Sequence, residues 1–193
     1  MRLFLLFLCC LGFSFALPFN QIDTQMTQRI DKTIQLLQNS ENKVAVSSEI
    51  FKLFDEIFDY PLMAKLSLSK EFKKLNTKEK EEFIKIFEEN LKKSFASKLR
   101  LYKDEKMLVL GGDLIKENRY NLKTSLIYDG KENYIIFKFH KLNNDWKIYD
   151  VDILGISVIQ TYRNQFLDIL TKSNFETLIQ KLQNEITFDT KQK

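Results

Sequence analysis

Cysteine is scarce in this chain and sits where it can do little: Cys9 and Cys10 are the only two. Both fall in an apolar leader, so the chain beyond it can form no disulfide, thiolate nucleophile or cysteine metal site. Histidine occurs once, at His140. A histidine metal site needs partners at ligand spacing, and the sequence has none. Tryptophan also occurs once, and the two prolines and five glycines leave no hinge or low-complexity linker. Gly111-Gly112 lacks the spacing and the following helix of a phosphate-cradling loop and reads as a bulge or bend. Basic and acidic side chains are nearly balanced, 30 against 26, and interleaved. A nucleic-acid surface would need a clustered basic stripe.

The apolar run from Leu3 to Phe15 follows a positive Arg2 and ends in Ser14-Phe15-Ala16, a small-x-small cleavage signal. It is too short for a stable membrane span, which needs about 20 residues. The pattern predicts a secretory leader over residues 1–16, cleaved after Ala16, and one soluble domain over 17–193 with a polar tail from about 187. Lipidation at Cys9 or Cys10 is the weaker alternative, because the small residue expected before the cysteine is missing. Without disulfides, such a domain must hold itself together by its core, and its length suffices for that.

Apolar residues recur at helical spacing in Ile22, Met26, Ile30, Ile34 and Leu37. A second helix starts at Ser47 or Ser48 and carries Phe51, Phe54, Ile57 and Phe58. Pro61 fits the first turn of a short third helix. Asn76 and Glu79 outline a capping box before a long helix with the stripe Phe83, Ile86, Phe87, Leu91, Phe95, Leu99 and Tyr102. Strands are expected near 106–116, 119–128, 133–142 and 146–154, joined by turns at Asp129-Gly130 and Asn143-Asn144-Asp145. Ser157 caps a fifth helix, and a last one runs from about Asn174 to Ile186. The expected fold is α+β: a single domain with a twisted four-stranded antiparallel sheet and helices on its concave face.

The segment from Trp146 to Phe166, WKIYDVDILGISVIQTYRNQF, is the most informative. Alternation puts Tyr149, Val151 and Ile153 on one strand face and Ile148, Asp150 and Asp152 on the other. The following helix turns Val158, Ile159, Tyr162, Phe166, Ile169 and Leu170 to one side. These residues cannot act as acids or metal ligands; any space they line suits an apolar occupant. His140 reads as an exposed or rim residue of its strand. Asp152 reads as solvated, and Asp150 as fixing a turn or pairing with a cation.

This block resembles the MlaC family of periplasmic phospholipid-binding proteins. The family pattern W-x-x-Y-D-x-x-x-x-G-V-S, followed by N-Y-R-x-x-F-like residues, is matched by Trp146, Tyr149, Asp150, Gly155, Ile156, Ser157, Tyr162, Arg163 and Phe166. Ile156 replaces the usual Val. Upstream, Leu68 to Phe83 is similar to a second family segment, with Ser69 where Gly is usual and Phe72 where Trp is usual. The resemblance implies an apolar pocket between helices and sheet, walled by Phe87, Leu91, Phe95, Tyr102, Tyr149, Val151, Ile153, Val158, Ile159, Tyr162 and Phe166. Arg163 would pair with a lipid phosphate or hold a carboxylate such as Asp150. It also implies a monomeric periplasmic carrier with no catalytic residue, metal or cofactor. Its cargo would be a glycerophospholipid, and its partners an MlaA-like outer-membrane lipoprotein and an MlaD-like inner-membrane substrate-binding subunit. Contact with membranes would be transient, and outer-membrane lipid asymmetry the purpose. Two other classes stay open: an enzyme on a similar cone-shaped scaffold, favoured if a carboxylate points inward, and an adaptor that binds only proteins through a filled domain.

Overall fold

The computed structural model describes residues 16–128 and 130–184. The leader up to residue 15, Asp129, Ile186 and the tail lie outside the described residues. Helices α1 (Ile22–Gln38), α2 (Ser47–Phe54), α3 (Tyr60–Leu68) and α4 (Thr77–Leu99) come first. Strands β1 (Met107–Lys116), β2 (Arg119–Tyr128), β3 (Lys131–Leu142), β4 (Asp145–Ile153) and β5 (Ile156–Ser157) follow, then α5 (Val158–Lys172) and α6 (Phe175–Gln183).

Helix starts are set by side chains that satisfy otherwise orphaned backbone N–H groups. Asn76 accepts from the Glu79 backbone at 3.0 Å while the Glu79 carboxylate accepts from the Asn76 N–H at 2.8 Å, a complete capping box. Asp59 accepts from Leu62 N–H at 2.9 Å just ahead of Tyr60 and Pro61. Ser157 accepts from Gln160 N–H at 3.0 Å, and Asn174 from Thr177 N–H at 2.9 Å. Tyr102 lies beyond the end of α4, in a turn rather than on the helical stripe.

The sheet is antiparallel in the order β1-β2-β3-β4-β5, one short strand more than the four expected. The two residues of β5 pair with the end of β4 after the chain reverses through Leu154 and Gly155, both at positive φ. Three register irregularities interrupt the sheet, one of them between Leu114 and Lys116 at the end of β1. In β1 the register skips between Val109 and Gly111, and Gly111 takes φ +85°, a left-handed conformation that glycine adopts without strain. In β4 Ile148 faces Phe139 and Asp150 faces Lys138, leaving Tyr149 as the extra residue of a bulge.

That bulge corrects the expected alternation. Ahead of it Trp146 and Ile148 enter the core; beyond it Val151 does, at 2% exposure. Tyr149 does not share a face with Val151 and Ile153. Its ring sits 5.8 Å from that of His140, with the Arg119 guanidinium 5.1 Å from its centre.

Helices pack on the face that carries Tyr120, Leu122, Phe139, Ile148 and Val151. The centre of the core is aromatic. Phe83, Phe87, Tyr162 and Phe166 meet edge-on or tilted at centroid distances between 5.3 and 6.3 Å. Burying each such ring stabilises the fold by about 2–3 kcal/mol. Buried Asn90 is satisfied by donating to the Leu182 carbonyl at 2.9 Å and accepting from the Tyr162 hydroxyl at 3.2 Å. The free edge of early β4 is covered: Ile148 exchanges backbone hydrogen bonds with Ile57 and Asp59, and Trp146 N–H donates to Leu17 O at 3.0 Å.

Candidate functional site: an apolar face open at one end

Burial falls in the same direction along α4, β3 and β4. On α4, Phe83, Phe87 and Leu91 are sealed, whereas Phe95 and Leu99 are half-buried. On α1 there is no such gradient: Met26, Ile30 and the last apolar residue, Leu37, are buried, with Ile34 half-buried between them. On β3, Phe139 is sealed while Phe137 and Ile135 are partly open; on β4, Ile148 and Val151 give way to half-buried Ile153. Met107 and Val109 of β1 are half-buried on the same face.

Register places these open positions together. Met107 lies opposite Leu126, Val109 opposite Thr124, Thr124 opposite Ile135, and Ile135 opposite Ile153. The end of α4 reaches β1 through a short loop. Tyr102 in that loop has the Lys43 Nζ 5.7 Å from its ring centre, and Lys43 donates to Leu37 O at the end of α1. One end of the domain is therefore an apolar sheet face flanked by helix ends that do not close over it. Large apolar side chains also stand exposed at this end: Leu101 and Leu154 in turns, and Leu108, Ile127 and Tyr134, which alternation puts on the outer face of the sheet. They follow one another across the strand ends, with Ile127 N–H bonded to Lys106 O and Leu154 N–H to Tyr134 O.

Such a surface can receive an apolar chain by displacement of water and has no chemistry of its own. Its one buried polar side chain from the inner sheet face, Thr124, donates to Ile135 O at 3.0 Å. A separate, open depression of about 570 Å³ lies at the opposite end of β3 and β4; it is lined by Ala16, Glu56, Leu142, Asn143, Asn144, Asp145 and Lys147.

Among the expected wall residues, Phe87, Leu91, Val151, Val158, Ile159, Tyr162 and Phe166 are buried in the core at the base of this end. Phe95, Tyr102 and Ile153 are half-buried nearer its lip, and Tyr149 is on the other side of the sheet. The sequence reading overlooked Ile34, Met107, Val109, Ile135 and Phe137. Alternation of Ile135, Phe137 and Phe139 along β3, the neighbour of β4, was the available signal.

The polar candidates are bound up in structure. Arg163 corrects the expected carboxylate pairing: its Nε and Nη2 donate to the Leu66 carbonyl at 3.0 and 2.8 Å, tying α5 to the end of α3. Asp150 is buried and holds the β4–α5 corner. It accepts from Val151 and Ile159 N–H at 2.9 and 3.1 Å, from the Ser157 hydroxyl at 2.7 Å, and pairs with Lys138 at 3.1 Å. Asp152 pairs with Lys138 at 2.8 Å instead of standing free in solvent. Burial pulls the Lys138 pKa down, but the hydrogen bonds and charges of Asp152 and Asp150 outweigh it and raise it. His140 is buried, not exposed, because Tyr149 covers it and its Nε2 lies 2.8 Å from Asp59 Oδ2. Burial would raise the Asp59 carboxyl; its hydrogen bonds to His140 and the Leu62 N–H win and lower it. Among the described residues no cluster of His, Cys, Asp and Glu could hold a metal ion, and no helix is long and apolar enough to cross a membrane.

The family model described as MlaC protein matches residues 25–184. The intermembrane phospholipid transport system binding protein MlaC of Haemophilus influenzae is 24% identical over 168 residues, covering 82% of this chain and 78% of that protein. The solved structure of a phospholipid-binding protein from Ralstonia solanacearum, in complex with a phospholipid, superimposes with a TM-score of 0.72 at 15% identity, covering 84% of this chain and 94% of the other. That likeness carries the fold.

Proposed function

The chain belongs to the MlaC family, and from that premise we propose that it is a periplasmic phospholipid carrier whose acyl chains enter the open apolar end. The observation that carries this reading is the loss of burial toward one end along α4, β3 and β4. A protein that only needed to fold would gain by sealing Ile135, Phe137, Ile153 and Phe95 as it seals Phe87 and Phe139. Transfer of an acyl chain into such a space gains about 0.8 kcal/mol per methylene, so no headgroup contact is needed for affinity. The headgroup stays at the lip, where water solvates it.

The same reading accounts for the absence of convergent polar groups on the inner face. An isomerase-like enzyme needs a carboxylate directed into the apolar space. Asp150 and Asp152 are instead engaged with Lys138, Ser157 and backbone N–H groups. No cofactor enters the proposal. The carrier, a monomer, would load from an MlaA-like outer-membrane lipoprotein and exchange with an MlaD-like inner-membrane subunit, touching membranes transiently. Those partners and their energy source set direction, and with it outer-membrane lipid asymmetry.

The deciding experiment is mass spectrometry of organic extracts from protein purified from the periplasm without detergent. Near-stoichiometric diacyl phospholipid is expected. Protein that is lipid-free and takes up no phospholipid from vesicles would overturn the proposal and return the protein-only adaptor.

A further inference from the structure

Two independent observations meet at one peptide bond. The small-x-small signal Ser14-Phe15-Ala16 marks the bond after Ala16 for cleavage. The next residue, Leu17, is 1% exposed, and its backbone nitrogen lies 2.6 Å from Asp145 Oδ1. We propose that cleavage of the Ala16–Leu17 bond creates an N-terminal ammonium that forms a part-buried ion pair with Asp145, locking the amino-terminal strap onto β4.

The chemistry is hydrolysis by a leader-removing peptidase. The Ala16 carbonyl carbon takes the oxygen of water and leaves as a carboxylate. The Leu17 nitrogen keeps its electron pair and binds protons to become an ammonium. In the uncleaved chain that nitrogen is a neutral amide with a single hydrogen to donate. After cleavage it carries a full charge and three donors, so its contact with Asp145 becomes a hydrogen bond between two ionised groups.

The surroundings are built to receive it. Ala16 lines a depression together with Glu56, Leu142, Asn143, Asn144, Asp145 and Lys147, so its departure opens the new terminus toward that depression. The strap is already seated. Leu17 O accepts from Trp146 N–H at 3.0 Å, and Phe19 packs on Tyr120 and Trp146 with centroids 5.2 and 5.3 Å away. Asp145 Oδ2 pairs with Lys147 at 2.8 Å, and Oδ1 is shared between the Leu17 nitrogen and the Trp146 N–H, which donates at 2.9 Å. Lys147 further donates to Glu56 O. The charged groups facing the terminus are thus Asp145 and Lys147 of β4 and Glu56 of the α2–α3 loop. Lys141 of β3, which lies opposite Trp146, and Asp59, which feels Lys147, stand farther out.

The sign of the pH effect follows from linkage. An amine that gains a carboxylate partner on folding has its pKa raised above the ordinary value of about 8. Its stabilisation is complete below that ordinary value and is lost as pH rises through the raised one. The test compares three full domains: one beginning at Leu17, one beginning at Leu17 with an acetylated amine, and one extended by Ala16. Isotopic methylation of the amine gives its pKa by NMR, and thermal melts are recorded from pH 6 to 11. The expected result is an amine pKa raised by about one unit or more. The free-amine form should melt higher than both others at pH 7, with the gap closing above the raised pKa. Asp145→Asn should return the amine to its ordinary range. An ordinary amine pKa in the free form, or equal melting of all three forms at pH 7, would overturn the proposal. So would an exported protein whose first residue is not Leu17. The acetylated form leaves Asp145 intact, so the test survives if the Asn variant fails to fold. None of these readouts depends on bound lipid.

Discussion

Replacing Ile153 by glutamate separates folding from cargo, because this residue is half-buried at the lip and not sealed in the core. It faces Ile135 across β3 and Ile156 across β5. Full burial of an isoleucine side chain is worth about 1.5–3 kcal/mol, so losing a half-buried one costs the fold about 1 kcal/mol. A domain stable by about 5–15 kcal/mol survives that, and the glutamate can turn its carboxylate to water. A bound acyl chain has no such escape. Displacing two or three methylenes from the wall removes about 2 kcal/mol, and a carboxylate kept ionised beside the chain costs several more. Together these exceed 3 kcal/mol, or more than about a hundredfold in affinity. The assay pairs extracted phospholipid per protein with a thermal melt. The expected outcome is a melting temperature lowered by only a few degrees and a near-complete loss of lipid. Burial raises a carboxyl pKa, so lowering the pH to about 5 should restore part of the binding by neutralising the glutamate. Val151→Glu is the contrast. At 2% exposure it should damage the fold itself. A folded Ile153→Glu protein with a normal lipid load would refute the placement of the acyl chains.

Arg163→Ala should lower the melting temperature by removing both hydrogen bonds to the Leu66 carbonyl, a loss of about 1–3 kcal/mol, with lipid per protein unchanged. Lost lipid at an unaltered melting point would show instead a headgroup role. Asp150→Asn should cost about 2 kcal/mol, because the charge that holds Ser157, Lys138 and the Ile159 N–H together is gone; denaturant melts measure it, and an unchanged midpoint would contradict the corner's importance. The lowered Asp59 carboxyl contributes stability that is present above its unfolded value, near 3.9, and is lost as pH falls through its folded value. Acid melts of His140→Gln should show less of that loss below pH 4; an identical acid profile would mean the pair is not coupled to folding.

Local features were legible in the sequence because their causes are local. Asn76 and Glu79, Ser157, and Pro61 after Asp59 act on backbone groups within a turn, and all hold the positions expected of them. Gly111 likewise marks the first irregularity in β1. What was not legible depends on partners far along the chain. Arg163 finds Leu66, 97 residues away, and His140 finds Asp59, 81 residues away. The bulge at Tyr149 has no glycine to announce it. It is set by register between β3 and β4, and it reassigns one aromatic ring to the opposite side of the sheet. Alternation alone cannot foresee that, since a single extra residue reverses every assignment on one side of it.

The same distinction explains why the candidate site was half visible. Phe87, Tyr162 and Phe166 carry strong helical periodicity because they are core residues, and their spacing is fixed by packing. The open positions at the lip have no periodicity of their own; they continue the core pattern past the point where a facing layer stops. Ile135 and Ile153 read in sequence just as Phe139 and Ile148 do. Which members of the pattern are covered is decided by what packs against them, and the pattern does not record that. On the proposed reading the apolar site is an unfinished core: the wall follows the same rules as the interior, and cargo would supply the missing layer. The stability of the lip should therefore depend on cargo. Delipidation should loosen Met107, Val109, Ile135 and Ile153 toward solvent in hydrogen exchange while Phe83, Phe87 and Phe139 stay protected. Uniform loosening across both groups would mean that the core and the lip are one cooperative unit and that the open end is not a separate working part.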